Sequence, residues 1–217
     1  MFRYDGPIVG FFMKLGDMII LHAIWLICCI PVITAGPATA AAHYVALKLA
    51  RDEGGSVPRM FFRAFVRNFR QGVILGLLSG AVGGLLLLDL YLCINRMEGS
   101  GPFKLALLSA LLFLGLAYLV TALYLWPVLV RFENRVPRIL ANSFLIAVSH
   151  WGDTSVLLAQ DAALALGAFL SFLFLPQAAV VFAVLGLPLF FVLNAFRIGR
   201  VLDGYGTKGG REKEEIG

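Results

Sequence analysis

Residues 57–72 of this chain read VPRMFFRAFVRNFRQG, and the rest of the sequence is best understood from this stretch. On a helix turning about 100° per residue, four arginines share an arc of roughly 80°; they are Arg59, Arg63, Arg67 and Arg70. The aromatic residues fall on another side, and the stretch contains no Asp or Glu. This pattern predicts an amphipathic helix on the inner face of a membrane, with rings at the acyl boundary and guanidinium groups among lipid phosphates. The alternative, an Arg/Phe helix packed on a soluble core, is disfavoured by the composition of the chain.

The overall composition is that of a membrane protein. Of the 217 residues, 60% are hydrophobic and 14% are charged, whereas soluble domains carry about 25% charged residues. We expect one integral membrane domain over residues 1–205 and a disordered cytoplasmic tail over residues 206–217. The net charge of +5 resides mainly in short links between apolar runs. Membrane topology therefore explains it better than a nucleic-acid partner does.

Apolar runs predict an all-α, polytopic transmembrane helical bundle with five to six membrane segments and amphipathic helices on its inner face. The runs cover residues 18–33, 37–49, 73–94, 105–130, 154–175 and 178–196, and residues 139–151 are weakly amphipathic. The run at 37–49 makes a helix of only roughly 21 Å, so it either spans a thinned region or re-enters partway.

Lysine and arginine counts favour six segments over five. They divide 16 inside to 2 outside if residues 37–49 cross the membrane, and 14 to 4 if they do not. Both counts place the C-terminus in the cytoplasm.

Several short motifs, spread over most of the chain, carry a resemblance to a known family. They include Leu15-Gly16-Asp17, Trp25-Leu26, Pro31-Val32, Phe61-Phe62, Asn68-Phe69, Ala141-Asn142 and Asp203 to Tyr205. In these motifs the chain resembles the YesL-like family, domain of unknown function 624. The resemblance implies a multi-pass protein of the bacterial cell membrane, of a kind often encoded beside sugar-uptake transporters and sensor pairs. It supplies no catalytic residue.

Ionisable residues inside apolar runs are candidates for chemistry, because a charge there costs several kcal/mol unless it is paired or hydrated. Asp161 follows Gln160 in the run 154–175 and lies roughly 10 Å deep, given the rise of a helix. It either binds a proton or cation or is a hydrogen-bonded packing group. His43, in the run 37–49, either titrates near neutral pH or donates to a neighbouring carbonyl. Together they form a candidate solute or proton path.

No motif in the sequence predicts an enzyme, a cofactor or a metal site. The phosphate-binding pattern G-x-x-x-x-G-K-[ST], the zinc pattern H-E-x-x-H and the nucleophile pattern G-x-S-x-G are all absent from the sequence. We therefore expect the protein to have no catalytic chemistry of its own.

The first functional hypothesis is an accessory or regulatory protein of an ABC-type carbohydrate uptake system. Six arginines are expected to contact the lipid bilayer, a sugar permease or a sensor kinase: Arg59, Arg63, Arg67, Arg70, Arg131 and Arg135. The alternative is a small-solute transporter or channel working near the helix break at residues 31–37.

Overall fold

The computed structural model of the protein describes residues 7–51, 53, 55–96, 101–132, 134–174 and 187–214. In these ranges it contains α-helices and one 3-10 turn (Val32–Thr34) but no β-strand. The helices are α1 (Pro7–Cys29), α2 (Ala35–Ala50), α3 (Val57–Arg67), α4 (Phe69–Asn95), α5 (Pro102–Arg131), α6 (Val136–Ser149), α7 (Trp151–Phe174) and α8 (Leu187–Glu214). The predicted all-α bundle is confirmed.

Within the described residues, three helices are long and apolar enough to cross a membrane: α4, α5 and α7. They coincide with the predicted runs 73–94, 105–130 and 154–175. Many of their large apolar side chains are exposed, among them Leu87 and Phe113, as expected for helices that are solvated by lipid. The protein is therefore a membrane-embedded bundle, while the number of crossings stays a prediction.

The C-terminal part of the chain is described only in part. Residues 178–186 of the last predicted segment lie outside the described residues, and the remainder of that segment belongs to α8. Helical backbone continues to Glu214, and it thus enters residues 206–217, whose disorder stays a prediction.

Helices α1 and α2 form a hairpin around Pro31, the residue that predicts the break. The Thr34 hydroxyl lies 2.6 Å from the Cys28 carbonyl and 2.8 Å from the Pro31 carbonyl, either of which it can donate to. This bonding closes the turn. The tip is apolar and exposed, with Ile30 78% and Val32 80% accessible. Such a tip suits the hydrocarbon interior of a bilayer better than water.

Helix α2 is the centre of the bundle and contacts α1, α3, α4, α5 and α8. It is built mainly of alanine, and Ala38, Ala40, Ala41 and Ala42 are all 0% exposed. Small residues allow neighbouring helices to approach closely. The closest approach is to α4: a methyl group on Gly76 would lie 3.0 Å from the Cα of Gly36, and one on Gly72 would lie 2.8 Å from the Cα of Pro37. The two helices therefore cross backbone against backbone.

Both ends of α2 lie toward the same end of the bundle. At its start, Gly36 meets Gly76, two turns into α4. At its end, Arg51 shares a carboxylate with Arg131, the last residue of α5. The start of α4 is itself hydrogen-bonded to the Asn134 carbonyl, just beyond α5. Helix α2 thus runs obliquely to α4, and its crossing of the membrane stays a prediction. We call this end, with the start of α4 and the end of α5, the basic end.

Candidate functional site

The arginine side of α3 is exposed, in agreement with the sequence pattern. Its exposed arginines are Arg59, Arg63 and Arg67. The buried residues of the helix are Val57, Phe61 and Ala64, and α3 packs mainly on α2. Two further apolar residues remain accessible, Phe62 at 51% and Val66 at 72%. Helix α3 therefore presents guanidinium groups and apolar side chains together, as a lipid–water boundary requires. What it contacts stays a prediction.

The stretch 57–72 is not one continuous helix, because the chain breaks at Asn68. This residue has φ −103° and ψ 10°. Its side-chain amide donates to the Ala64 carbonyl at 2.9 Å, the same carbonyl to which its backbone N–H donates at 3.0 Å. Side chains that bind nearby backbone in this way compete with regular helix bonding. As a result, Arg70 belongs to α4 and lies at the start of a membrane helix.

Three arginines converge on a polar pocket of about 500 Å³ at the basic end. They come from separate segments: Arg67 ends α3, Arg70 begins α4 and Arg135 immediately precedes α6. The other lining residues are Asn68, Gln71, Leu129, Val130, Phe132 and Asn134. No carboxylate occurs among the described residues that line it. We call this site the basic pocket.

A second group of charges at the basic end is paired internally. Asp203 of α8 accepts hydrogen bonds from Arg51 and from Arg131, the latter at 2.7 Å. Arg131, predicted as a contact residue, is thus engaged within the bundle and does not line the basic pocket. Sequence reasoning did not find the pairing of Arg51 with Asp203, since 152 positions separate them.

A further ion pair closes the link after α2. Lys48 Nζ lies 2.7 Å from Glu53 Oε2. The hydrogen bond from Lys48 lowers the pKa of Glu53 below its usual 4.5, and it raises the pKa of Lys48 above its usual 10.5. Both groups are therefore charged at neutral pH.

His43 lies in an aromatic cluster between α1, α2 and α8. It packs edge-on against Phe191 (ring centroids 5.2 Å apart), which in turn contacts Trp25 (5.4 Å). Trp25 contacts His22 at 5.4 Å and donates its indole N–H to Thr39 at 3.2 Å. His22 was missed in the sequence, where it is one polar residue in an apolar run.

The buried histidines of this cluster carry unpaired ring nitrogens. Among the residues that the structure describes, neither nitrogen of His22 has a hydrogen-bond partner, and Nδ1 of His43 has none. One of the two alternatives for His43 was donation to a neighbouring carbonyl. Among the described residues, its Nδ1 has no such carbonyl partner.

Asp161 is hydrogen-bonded to a buried asparagine of α8. Asn194 donates to Asp161 Oδ1 at 3.0 Å and accepts from Gln160 Nε2 at 2.9 Å. Asn194 is almost fully buried. This arrangement matches a packing role for Asp161, and it stabilises the contact of α7 with α8.

The two candidate path residues meet the same stretch of α8 without an observed contact between them. His43 touches Phe191, and Asp161 touches Asn194, one turn later. Among the residues that the structure describes, no three His, Cys, Asp or Glu side chains are close enough to hold a metal ion.

Residues 18–90 match the model of a family described as protein of unknown function, DUF624. The matched range includes most of the α1–α2 hairpin, all of α3 and most of α4, and so the crossing of α2 with α4. No curated protein and no solved structure matches the chain. Over residues 18–90, about a third of its length, the chain is therefore similar to the DUF624 family.

Proposed function

We propose that the protein is an accessory or regulatory membrane protein that acts by contact through its basic end and has no chemistry of its own. The observation that carries the proposal is the enclosure of α2. A transporter working at the helix break needs water to reach this helix, yet five helices surround it and its central alanines have no accessible surface. Because the centre of the bundle is packed with side chains, we infer that the exposed surface carries the function.

The exposed arginines of α3 provide a surface suited to a partner. Arg59 and Arg63 have no ion-pair partner among the described residues, whereas Arg51 and Arg131 are bound to Asp203. Free guanidinium groups beside apolar side chains match an acidic, partly apolar counterpart. The further proposal that this partner is an ABC sugar permease or a sensor kinase depends on the resemblance to the YesL-like family.

In-cell cross-linking followed by gentle detergent extraction of tagged protein tests this role. We expect one membrane protein to be recovered reproducibly with the wild-type chain, and to be lost when Arg59 and Arg63 are both changed to Glu. The matched control is Arg96→Glu, an exposed arginine at the far end of α4. Recovery of a sugar permease or a sensor kinase would name the system. Equal recovery with all variants, or recovery of the chain alone, contradicts the proposed contact.

Transport is the second candidate, and it is favoured by the nitrogens of His22 and by Nδ1 of His43, which have no partner in the described part of the chain. Buried polar groups normally have partners, and unexplained exceptions often mark function. Proton flux into vesicles containing the purified protein tests this candidate. A transporter would lose flux in Asp161→Asn and keep it in Asp153→Asn, at the first turn of the same helix. An unchanged flux in Asp161→Asn would exclude Asp161 from the path.

A further inference from the structure

The charge balance of the basic pocket is unusual for this protein. Its arginines, Arg67, Arg70 and Arg135, have no carboxylate within ion-pair distance among the described residues. Elsewhere at the same end, guanidinium groups share Asp203. Three like charges around one cavity repel each other, so the arrangement is most stable when an anion lies between them.

The walls of the pocket are partly fixed before any ligand arrives. Gln71 Nε2 donates to the Asn134 carbonyl at 3.0 Å, which fastens the α5–α6 link to the start of α4. The Arg67 guanidinium lies 5.4 Å from the centre of the Tyr44 ring, a cation–π distance. Because these contacts hold all three contributing segments in position, less conformational entropy is lost on binding.

The position of the pocket indicates a lipid. It lies where α4 begins and α5 ends, and both helices are long and apolar enough to cross a membrane. Leu129, Val130 and Phe132 form an apolar wall beside the arginines. A headgroup phosphate and the start of its acyl chains present this same combination of anion and hydrocarbon, and basic pockets between membrane helices bind such headgroups. A free phosphate ion would leave the apolar wall unused.

We propose that the basic pocket binds the phosphate headgroup of an anionic phospholipid through Arg67, Arg70 and Arg135. Its volume of about 500 Å³ lies within the usual range for small-molecule sites. The proposal depends on the membrane embedding of the bundle and is independent of the partner contact proposed for Arg59 and Arg63.

Native mass spectrometry of the purified full chain tests the proposal, with phosphatidylglycerol and phosphatidylcholine supplied together in detergent. We expect the wild-type protein to retain phosphatidylglycerol preferentially. Changing Arg67, Arg70 and Arg135 to Gln should weaken that retention by about fivefold for each arginine, since each cation near an anionic headgroup contributes about 1 kcal/mol. The matched control replaces Arg96, Arg138 and Arg200 with Gln, an equal change of charge at exposed positions that neither line the pocket nor belong to the proposed partner contact.

Three results would overturn the proposal. In the first, the control variant loses as much lipid as the pocket variant, which would indicate general electrostatic attraction. In the second, inorganic phosphate displaces phosphatidylglycerol completely, which would indicate a site for the free ion. In the third, the pocket variant keeps the wild-type preference.

If the triple variant does not fold, Arg135→Gln alone replaces it, because this residue precedes α6 and is exposed. Unchanged partner recovery with the pocket variant separates this test from that of the partner contact.

Discussion

Replacing Gly72 with alanine tests the close crossing of α2 and α4. The added carbon would lie 2.8 Å from the Cα and 2.9 Å from the backbone nitrogen of Pro37. Carbon atoms pack at about 3.5–4.0 Å, so the helices must move apart by nearly 1 Å, because main-chain atoms cannot rotate away. Overpacking of this kind costs about 1–3 kcal/mol, and alanine recovers at most about 1 kcal/mol of helix propensity. After the full propensity gain is subtracted, we expect a net destabilisation of up to about 2 kcal/mol.

Gly84→Ala on the same helix is the matched control, since an added methyl group there meets no atom within 4 Å. The assay heats detergent-purified protein and measures the folded fraction by size-exclusion chromatography. For chains of this size, 1 kcal/mol corresponds to roughly 2–4 °C in Tm. The Gly72→Ala protein should thus melt several degrees below wild type, and the Gly84→Ala protein at or above it. Equal melting of the two variants would refute the backbone-to-backbone crossing.

Two predictions concern the charges at the basic end. Asp203→Asn removes the carboxylate that Arg51 and Arg131 share. Because these groups are partly exposed, the substitution should lower the free energy of unfolding by about 1 kcal/mol, and by less in high salt. A loss of Tm that is independent of salt would contradict this account. Because the folded-state pKa of Glu53 lies below its ordinary 4.5, its bond with Lys48 contributes fully above that value and is lost as the pH falls through the lowered pKa. Glu53→Gln should therefore lower the free energy of unfolding by less than about 1 kcal/mol at neutral pH, which lowers Tm slightly. At strongly acidic pH it should leave Tm unchanged. A Tm difference that stays constant with pH would speak against the pair.

The sequence predicts the membrane helices well because their solvent imposes one rule on every exposed position. Residues on the lipid side of α4, α5 and α7 are mostly apolar, because polar side chains are costly to insert into hydrocarbon, and long apolar runs result. The role of α2 was also foreseeable in part, since the alanines at Ala38 and Ala40 to Ala42 predict close helix packing. The structure adds that this packing buries most of the helix and leaves residues such as Thr39, Tyr44 and Lys48 half-buried.

Features that depend on residues far apart in sequence were not predictable. The helical pattern of 57–72 continues through Asn68, and only the bond of its side chain to Ala64 reveals the break. Likewise, Arg135 is one basic residue in a short link until the fold places it beside Arg67 and Arg70. The pairing of Asp161 with Asn194 required the position of α8, 33 residues further along the chain.

The packing of α2 against α8 has a consequence for the order of assembly. Translation produces the α1–α2 hairpin well before α8, since Arg51 precedes its partner Asp203 by 152 positions. Until the ribosome has made α8, one side of α2 has no protein neighbour, and the hairpin has not reached its final packing in the bilayer. Long-range contacts of this kind are slow to form and leave intermediates exposed. The contacts of α2 with α8 can therefore form only once α8 has been made, and we expect a chain that stops before α8 to leave that side of α2 uncovered.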